Sequence, residues 1–82
     1  MAKKTFITDT ERQVIRLLRQ HGEARRVFRS NQQSDYSWWI GERAVTGTIF
    51  RLAPKGLVEV DNDNDVARLT AKGRQIAREI AA

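Results

Sequence analysis

The stretch AVTGTIFRLAPKGLVEV, residues 44–60, decides the fold, because a helical period in it gives way to an extended one. Its apolar residues first recur at helical spacing, at Val45, Ile49 and Leu52. This spacing predicts a helix over residues 42–53, ended by Pro54 and by a tight reversal at Gly56. The apolar and acidic run from Leu57 to Val60 is then typical of a strand.

The residues after this stretch predict the second half of a hairpin and a last helix. Residues 61–65, Asp-Asn-Asp-Asn-Asp, are turn formers, and residues 66–69 are the return strand. Thr70 is suited to cap a helix that buries one face and exposes the other. The buried face would hold Ile76, Ala77 and Ile80, and the exposed face Arg74 and Arg78.

The residues before the stretch predict a first helix at roughly residues 9–21. Thr8 with Glu11 forms a capping box, although Thr10 with Gln13 would serve almost as well. Gly22 supplies the stop. Apolar residues recur on one side of this helix, at Val14, Ile15, Leu17 and Leu18, and arginines lie on the opposite side, at Arg12, Arg16 and Arg19.

Residues 23–41 admit two interpretations. In the first, residues 24–29 and 36–40 form a hairpin around a loop at residues 31–35, because Tyr36, Trp38 and Ile40 alternate with Ser37 and Trp39. In the second, Ser34 caps a short helix over residues 35–40 that Gly41 ends. The alternation favours the hairpin slightly, and it places Trp39 on the face opposite Tyr36 and Trp38.

Residues 44–59 resemble the recognition helix and first wing strand of winged helix-turn-helix regulators, the MarR type in particular. The run Leu69-Thr70-Ala71-Lys72-Gly73-Arg74 resembles the segment that closes the wing in those families. The resemblance implies an α+β fold, a small winged helix-turn-helix domain of about three helices with a C-terminal β-hairpin wing. Residues 1–82 would form this one domain, with residues 1–7 as a flexible arm. Two departures are the missing alanine-rich second helix and three aspartates at the wing tip, Asp61, Asp63 and Asp65.

The distribution of charge points to a polyanionic partner. The net charge is +5, and residues 1–55 hold eleven of the fifteen basic residues against five of the ten acidic ones. Eleven of the basic residues are arginine, whose planar fork suits phosphate and guanine.

The resemblance implies double-stranded DNA as the partner, with helix 42–53 in the major groove and a role as a small bacterial or bacteriophage transcriptional regulator. The candidate DNA-contacting residues are Arg43, Thr46, Gly47, Thr48 and Arg51 on that helix, with Arg25, Arg26 and Arg29 as phosphate contacts.

The alternative function is a protein–protein interaction module, such as a phage-encoded inhibitor or assembly factor. The acidic wing and the irregular middle segment favour it, and a protein partner or a homodimer through an exposed Trp39 stays open.

The sequence offers no catalytic residues, no metal site and no cofactor motif. It has one histidine and no cysteine, and its carboxylates are scattered over caps and turns. The three aspartates imitate the start of a calcium loop, but Val66 and Lys72 stand where glycine and glutamate are needed. Without a long apolar run or a signal-like segment, we expect a cytoplasmic protein that is not an enzyme.

Overall fold

A computed structural model of the chain describes residues 6–28 and 36–81. Three helices and five strands lie in this part of the chain, in the order α1 (Asp9–His21), β1 (Ala24–Phe28), β2 (Tyr36–Ile40), β3 (Arg43–Ala44), α2 (Thr46–Leu52), β4 (Val58–Asp61), β5 (Val66–Leu69) and α3 (Ala71–Ala81). The strands form one antiparallel sheet in the order β3-β2-β1-β5-β4.

The predicted α+β composition with three helices is confirmed, but the predicted winged helix-turn-helix fold is wrong. The order of elements places three strands between α1 and α2, where a helix-turn-helix needs a helix. The hairpin interpretation of residues 23–41 is therefore confirmed against the short helix, with Arg26 paired to Trp38 and Phe28 to Tyr36. The expected wing, β4 and β5, is one end of the same sheet, because β5 pairs with β1.

The helix predicted over residues 42–53 is shorter than expected. Gly41 adopts a positive φ of 59°, which allows a tight turn between β2 and β3. Arg43 then pairs with Ile40 and Ala44 with Trp39, so these residues are extended. Helix α2 begins only at Thr46, whose hydroxyl accepts a hydrogen bond of 2.9 Å from the Trp38 backbone N–H. Strand pairing at residues 43–44 therefore overrides the helical period.

The other predicted elements are confirmed to within a residue. Thr8 and Glu11 form the capping box, with the Glu11 N–H donating to Thr8 Oγ1 and the Thr8 N–H to Glu11 Oε1. Strand β4 starts one residue later than expected, and Thr70 caps α3 by accepting from the Gly73 N–H at 3.0 Å.

All three helices pack on one face of the sheet. The core contains apolar residues from each helix and from one face of the strands: Val14, Ile15 and Leu18; Ile49 and Leu52; Ala77; and Ala24, Trp38, Ile40, Val58, Ala67 and Leu69. The opposite face has no helix in the described part of the chain and forms an open cleft that includes Val27, Ser37 and Trp39. Trp38 is buried and Trp39 half-buried, as the alternation predicts.

Among the residues that the structure describes, one charged side chain is fully buried. The Glu11 side chain is 1% exposed, and both of its oxygens accept from Lys55 Nζ, at 2.6 and 2.9 Å. Lys55 also donates to the Phe6 carbonyl oxygen. Burial by itself raises the pKa of Glu11, but the Lys55 ammonium and the hydrogen bonds from Thr8 hold it below its usual range. This pair ties the start of α1 to the turn after α2.

A close approach of two backbones fixes the start of α3. A Cβ built at Gly73 would collide with the Leu57 carbonyl oxygen. The same oxygen accepts a hydrogen bond of 3.0 Å from the Thr70 N–H, and Thr70 Oγ1 donates to the Gly56 carbonyl at 2.6 Å. The close packing of Gly73 against Leu57 therefore explains the Leu-Thr-x-x-Gly segment in this fold.

Some sequence predictions concern residues that the structure does not describe. Residues 1–5, Arg29 and the loop at residues 31–35 belong to the undescribed part. Of the expected N-terminal arm, Ile7 is described and packs against the core. Among the described helices none combines the length and the apolar character that crossing a bilayer requires.

We expect opposite effects from the same substitution at two helical glycines. Gly73→Ala should lower the free energy of unfolding by about 1–3 kcal/mol, because the new methyl group meets a fixed carbonyl. Gly47→Ala, where nothing lies within 4 Å of the new Cβ, should raise it by about 0.5–1 kcal/mol. Urea unfolding of both variants checks this, and equal effects would contradict the packing role of Gly73.

We also expect the Lys55–Glu11 pair to make stability depend on pH. The folded-state pKa of Glu11 is depressed, so its stabilisation is present above the ordinary pKa of glutamate and is lost as the pH falls. Lys55→Met should cost about 1–3 kcal/mol at neutral pH and much less at pH about 3. Lys72→Met, at an exposed site on α3, is the control. A cost that does not change between the two pH values would refute the assignment.

Candidate nucleic-acid interface

The predicted DNA-contacting helix face is only partly realised. The prediction that Arg43, Gly47 and Arg51 share one face of a helix is wrong, because Arg43 lies on β3 and not on α2. Gly47 and Arg51 do lie on the exposed side of α2, together with Phe50, which is 54% exposed. The outward face of α2 is therefore a glycine, an aromatic ring and an arginine.

The two threonines of α2 serve the fold instead of an exposed surface. Thr48 is 7% exposed and faces the core. The Thr46 hydroxyl accepts from the Trp38 N–H, which joins α2 to β2. The prediction that both flank a DNA-reading face therefore needs correction, since α2 starts later and its buried side includes residue 48.

Arg43 brings β3 against α1. One of its terminal nitrogens donates to Gln13 Oε1 at 3.1 Å. On α1, residue 16 follows residue 13 by one turn, so Arg16 lies on the same side of that helix as Gln13. Arg16 and Arg43, both exposed, therefore lie on the same side of the molecule as Gln13.

Arg26, predicted as a phosphate contact, instead forms hydrogen bonds to other residues of the chain. Its Nε and one terminal nitrogen donate to Asp65 Oδ1 at 3.0 and 2.6 Å. The terminal nitrogens also reach Asn62 Oδ1 at 3.0 Å and the Asn62 carbonyl at 3.3 Å. Its side chain is 12% exposed. Arg26 thus stabilises the β4–β5 turn, and it is not available to contact phosphate.

The Arg26 guanidinium also lies against three aromatic rings. Its central carbon is 5.4 Å from the ring centre of Phe28 and 5.2 Å from those of Tyr36 and Trp38. Cation–π contacts of this kind are worth about 0.5–2 kcal/mol each. The cluster therefore joins the β1–β2 hairpin to the turn between β4 and β5.

The acidic turn is internally bonded. Asp61 Oδ1 accepts from the N–H groups of Asp63 and Asn64, and the Asn64 side chain donates to Asp61 Oδ2 at 2.8 Å. The Asn64 side chain leads the contacts that lower the pKa of Asp61. Asp65, at a positive φ of 56°, faces Arg26. The three aspartates thus have roles in the turn.

The described arginines divide into paired and unpaired groups. Ion pairs join Arg12 to Asp9 at 4.0 Å, Arg25 to Glu23 at 3.7 Å, Arg26 to Asp65 at 2.6 Å and Arg68 to Glu23 at 3.4 Å. No described carboxylate lies within 4.0 Å of the remaining arginines, which are Arg16, Arg19, Arg43, Arg51, Arg74 and Arg78. Four of these lie on α1, β3 and α2, and we call Arg16, Arg19, Arg43 and Arg51 the arginine surface.

The sequence interpretation did not single out Phe28 and Phe50, which form a row of aromatic side chains with Tyr36. Tyr36 has its ring centre 5.8 Å from that of Phe28 and 6.2 Å from that of Phe50. We call Phe28, Tyr36 and Phe50 the aromatic row. The one signal for this row in the sequence was that Phe50 lies outside the apolar stripe of α2. An apolar residue on the polar face of a helix is left exposed.

The described residues contain no cluster of three histidine or acidic side chains that fits a metal ion. His21 ends α1 and borders the open cleft on the helix-free face of the sheet. In the same cleft Glu23 is shared by Arg25 and Arg68.

We expect Arg26 to be a structural residue. Arg26→Gln should lower the free energy of unfolding by about 2–3 kcal/mol, because Asp65 loses its partner and three rings lose a cation. Arg25→Gln, one residue away and 79% exposed, should change it by less than about 0.5 kcal/mol. Thermal and urea unfolding measure both variants, and equal losses would contradict the role of the cluster.

Comparisons with known proteins returned no match, whether to a protein-family model, to a curated protein or to a solved structure.

Proposed function

We propose that the chain binds double-stranded DNA through the arginine surface, Arg16, Arg19, Arg43 and Arg51. The observation that carries the proposal is that these exposed side chains have no carboxylate within 4.0 Å among the described residues. An unpaired guanidinium is free to displace counterions from phosphate.

The placement of the acidic residues supports the same proposal. Glu11 is neutralised by Lys55 within the fold, and Asp65 by Arg26. Asp61 and Asp63 lie in the β4–β5 turn, on elements that do not contribute to the arginine surface. Two exposed carboxylates, Asp9 on α1 and Glu42 before β3, lie in the same region, but neither is within 4.0 Å of Arg16, Arg19 or Arg43. A polyanion that approaches α1 and β3 therefore meets arginines that form no direct ion pair.

In this proposal α2 and β3 have different tasks. Arg43 on β3 and Arg16 on α1 contact the backbone phosphates, which positions the protein without reading sequence. Arg51, on the exposed side of α2, contacts phosphates beyond the part of the nucleic acid that these two arginines hold. The role as a transcriptional regulator stays a prediction.

The second candidate function is the protein-interaction module. Exposed apolar side chains favour it, since Phe28 is 39% and Phe50 54% exposed on either side of Tyr36. Apolar groups of this size on a surface often mark contact sites. A homodimer belongs to this class, and the experiments below distinguish both from DNA binding.

We expect Arg16→Gln/Arg43→Gln to weaken binding to a blunt duplex by about tenfold at about 50 mM salt. The same variant should flatten the dependence of log affinity on log salt by about 1.8, since each lost phosphate contact removes about 0.9. Fluorescence anisotropy at about 50 and 200 mM salt measures both quantities.

The matched control is Lys72→Gln/Arg78→Gln on α3, which removes the same charge outside the arginine surface. Its affinity should stay within about threefold of that of the unmodified chain. If the two variants lose the same affinity, net charge alone explains the binding and the proposed surface is wrong. Absence of duplex binding at low salt would favour the protein-interaction module.

A further inference from the structure

The aromatic row is exposed, although large aromatic side chains of a small domain are expected to pack in its core. Phe28 is 39% and Phe50 54% exposed, and Tyr36 lies between them with ring centres about 6 Å away on either side. The ring planes of Phe28 and Tyr36 meet at 63°, and those of Tyr36 and Phe50 at 52°. Two of the three rings therefore present much of their surface to solvent.

The row is held in place from behind. Arg26 contacts the Phe28 and Tyr36 rings and is itself fixed by Asp65 and Asn62. Phe50 is held by α2, which is joined to β2 through the hydrogen bond between Thr46 and Trp38. The rings are thus ordered before any ligand arrives, which lowers the entropy cost of stacking on them.

Gly47 has no structural reason to be a glycine. It lies inside α2 without a positive φ, and nothing occupies the space within 4 Å of an added Cβ. Glycine at a helix interior costs about 0.8–1.0 kcal/mol relative to alanine. Residue 47 lies one turn before Phe50 on the same side of α2, so a long side chain there reaches toward the ring, although an added Cβ alone meets no described atom within 4 Å. The glycine leaves the ring face open.

The charges around the row favour an anion. Arg51 follows Phe50 on the exposed side of α2, with no described carboxylate within 4.0 Å. Arg26, which contacts the Phe28 and Tyr36 rings, pairs with the carboxylate of Asp65 and neutralises it. An aromatic platform beside an arginine suits a nucleotide, whose base stacks and whose phosphate is charged.

We propose that the aromatic row, with Gly47 and Arg51 beside it, binds unpaired nucleotides, whose bases stack on Phe50 and Phe28 and whose phosphates contact Arg51. This inference rests on the proposed DNA binding and names its substrate class, a duplex that continues into a single strand. Arg16, Arg19 and Arg43 hold the paired part, and the row, with Arg51 beside it, holds bases that are free to leave the stack.

The experiment compares three fluorescein-labelled probes of known sequence: a thymidine single strand, a blunt duplex and a duplex with a single-stranded tail. Phe28→Leu/Phe50→Leu keeps the apolar character and removes the ring faces at two exposed positions. This variant should bind the single strand about tenfold or more weakly, and it should lose the extra affinity that the tail adds to the duplex. Its affinity for the blunt duplex should not change. Gly47→Gln should have the same selective effect, and thermal unfolding verifies that both variants fold.

A second readout reports stacking directly. A 2-aminopurine base in the tail should lose fluorescence when the unmodified chain binds, and the double leucine variant should abolish that quenching. Equal single-strand affinity for the unmodified chain and the double leucine variant would overturn the inference. If duplex binding remains sensitive to Arg16→Gln/Arg43→Gln in that case, only the stacking inference fails.

Two further outcomes count against the inference. If none of the three probes binds at low salt, the proposed function and the stacking inference fall together. If light scattering shows a dimer that Phe28→Leu/Phe50→Leu dissociates, the row is an interface between two copies of this chain, and the nucleotide assignment is wrong.

Discussion

The Arg26 cluster joins parts of the chain that no local interaction holds together. Arg26 is the third residue of β1, and its partners Asn62 and Asp65 lie in the turn between β4 and β5. The same guanidinium packs against rings from both strands of the β1–β2 hairpin. Together with the backbone hydrogen bond of 2.9 Å from the Arg26 N–H to the Asp65 carbonyl, this cation fixes the acidic turn against β1, and it orders the aromatic surface in front of it. The remaining surface chemistry of this end of the sheet depends on that arrangement.

Local signals in the sequence were sufficient for the elements with clear boundaries. Thr8 with Glu11 located α1, Thr70 located α3, and the turn formers at residues 61–65 located the β4–β5 hairpin. The apolar period of α2 was identified correctly, but its start was not. Gly41 and the pairing of Arg43 with Ile40 extend the sheet into residues that have no helix breaker of their own.

The overall fold and most of the site depended on information that a single sequence does not contain. The winged-helix expectation rested on the similarity of residues 42–78, and the segment between the first two helices turned out to be sheet. Seven of the eleven arginines precede α2 in the sequence, yet only the three-dimensional structure shows that Arg26 meets a carboxylate 39 residues away. Charge counts treat such an arginine and a solvated one alike, so the available surface is smaller than the net charge suggests.

The position of β1 in the sheet has a consequence for how the chain is made. Its partners are β2, which follows directly, and β5, which arrives only after β3, α2 and β4. During synthesis the β1–β2 hairpin can form early, but one edge of β1 keeps its backbone groups unpaired until residues 66–67 have left the ribosome. An open edge of this kind is a template for pairing with another chain. The long-range closure onto β5 is therefore the late step of folding, and a nascent or truncated chain without β5 is the form most prone to aggregate.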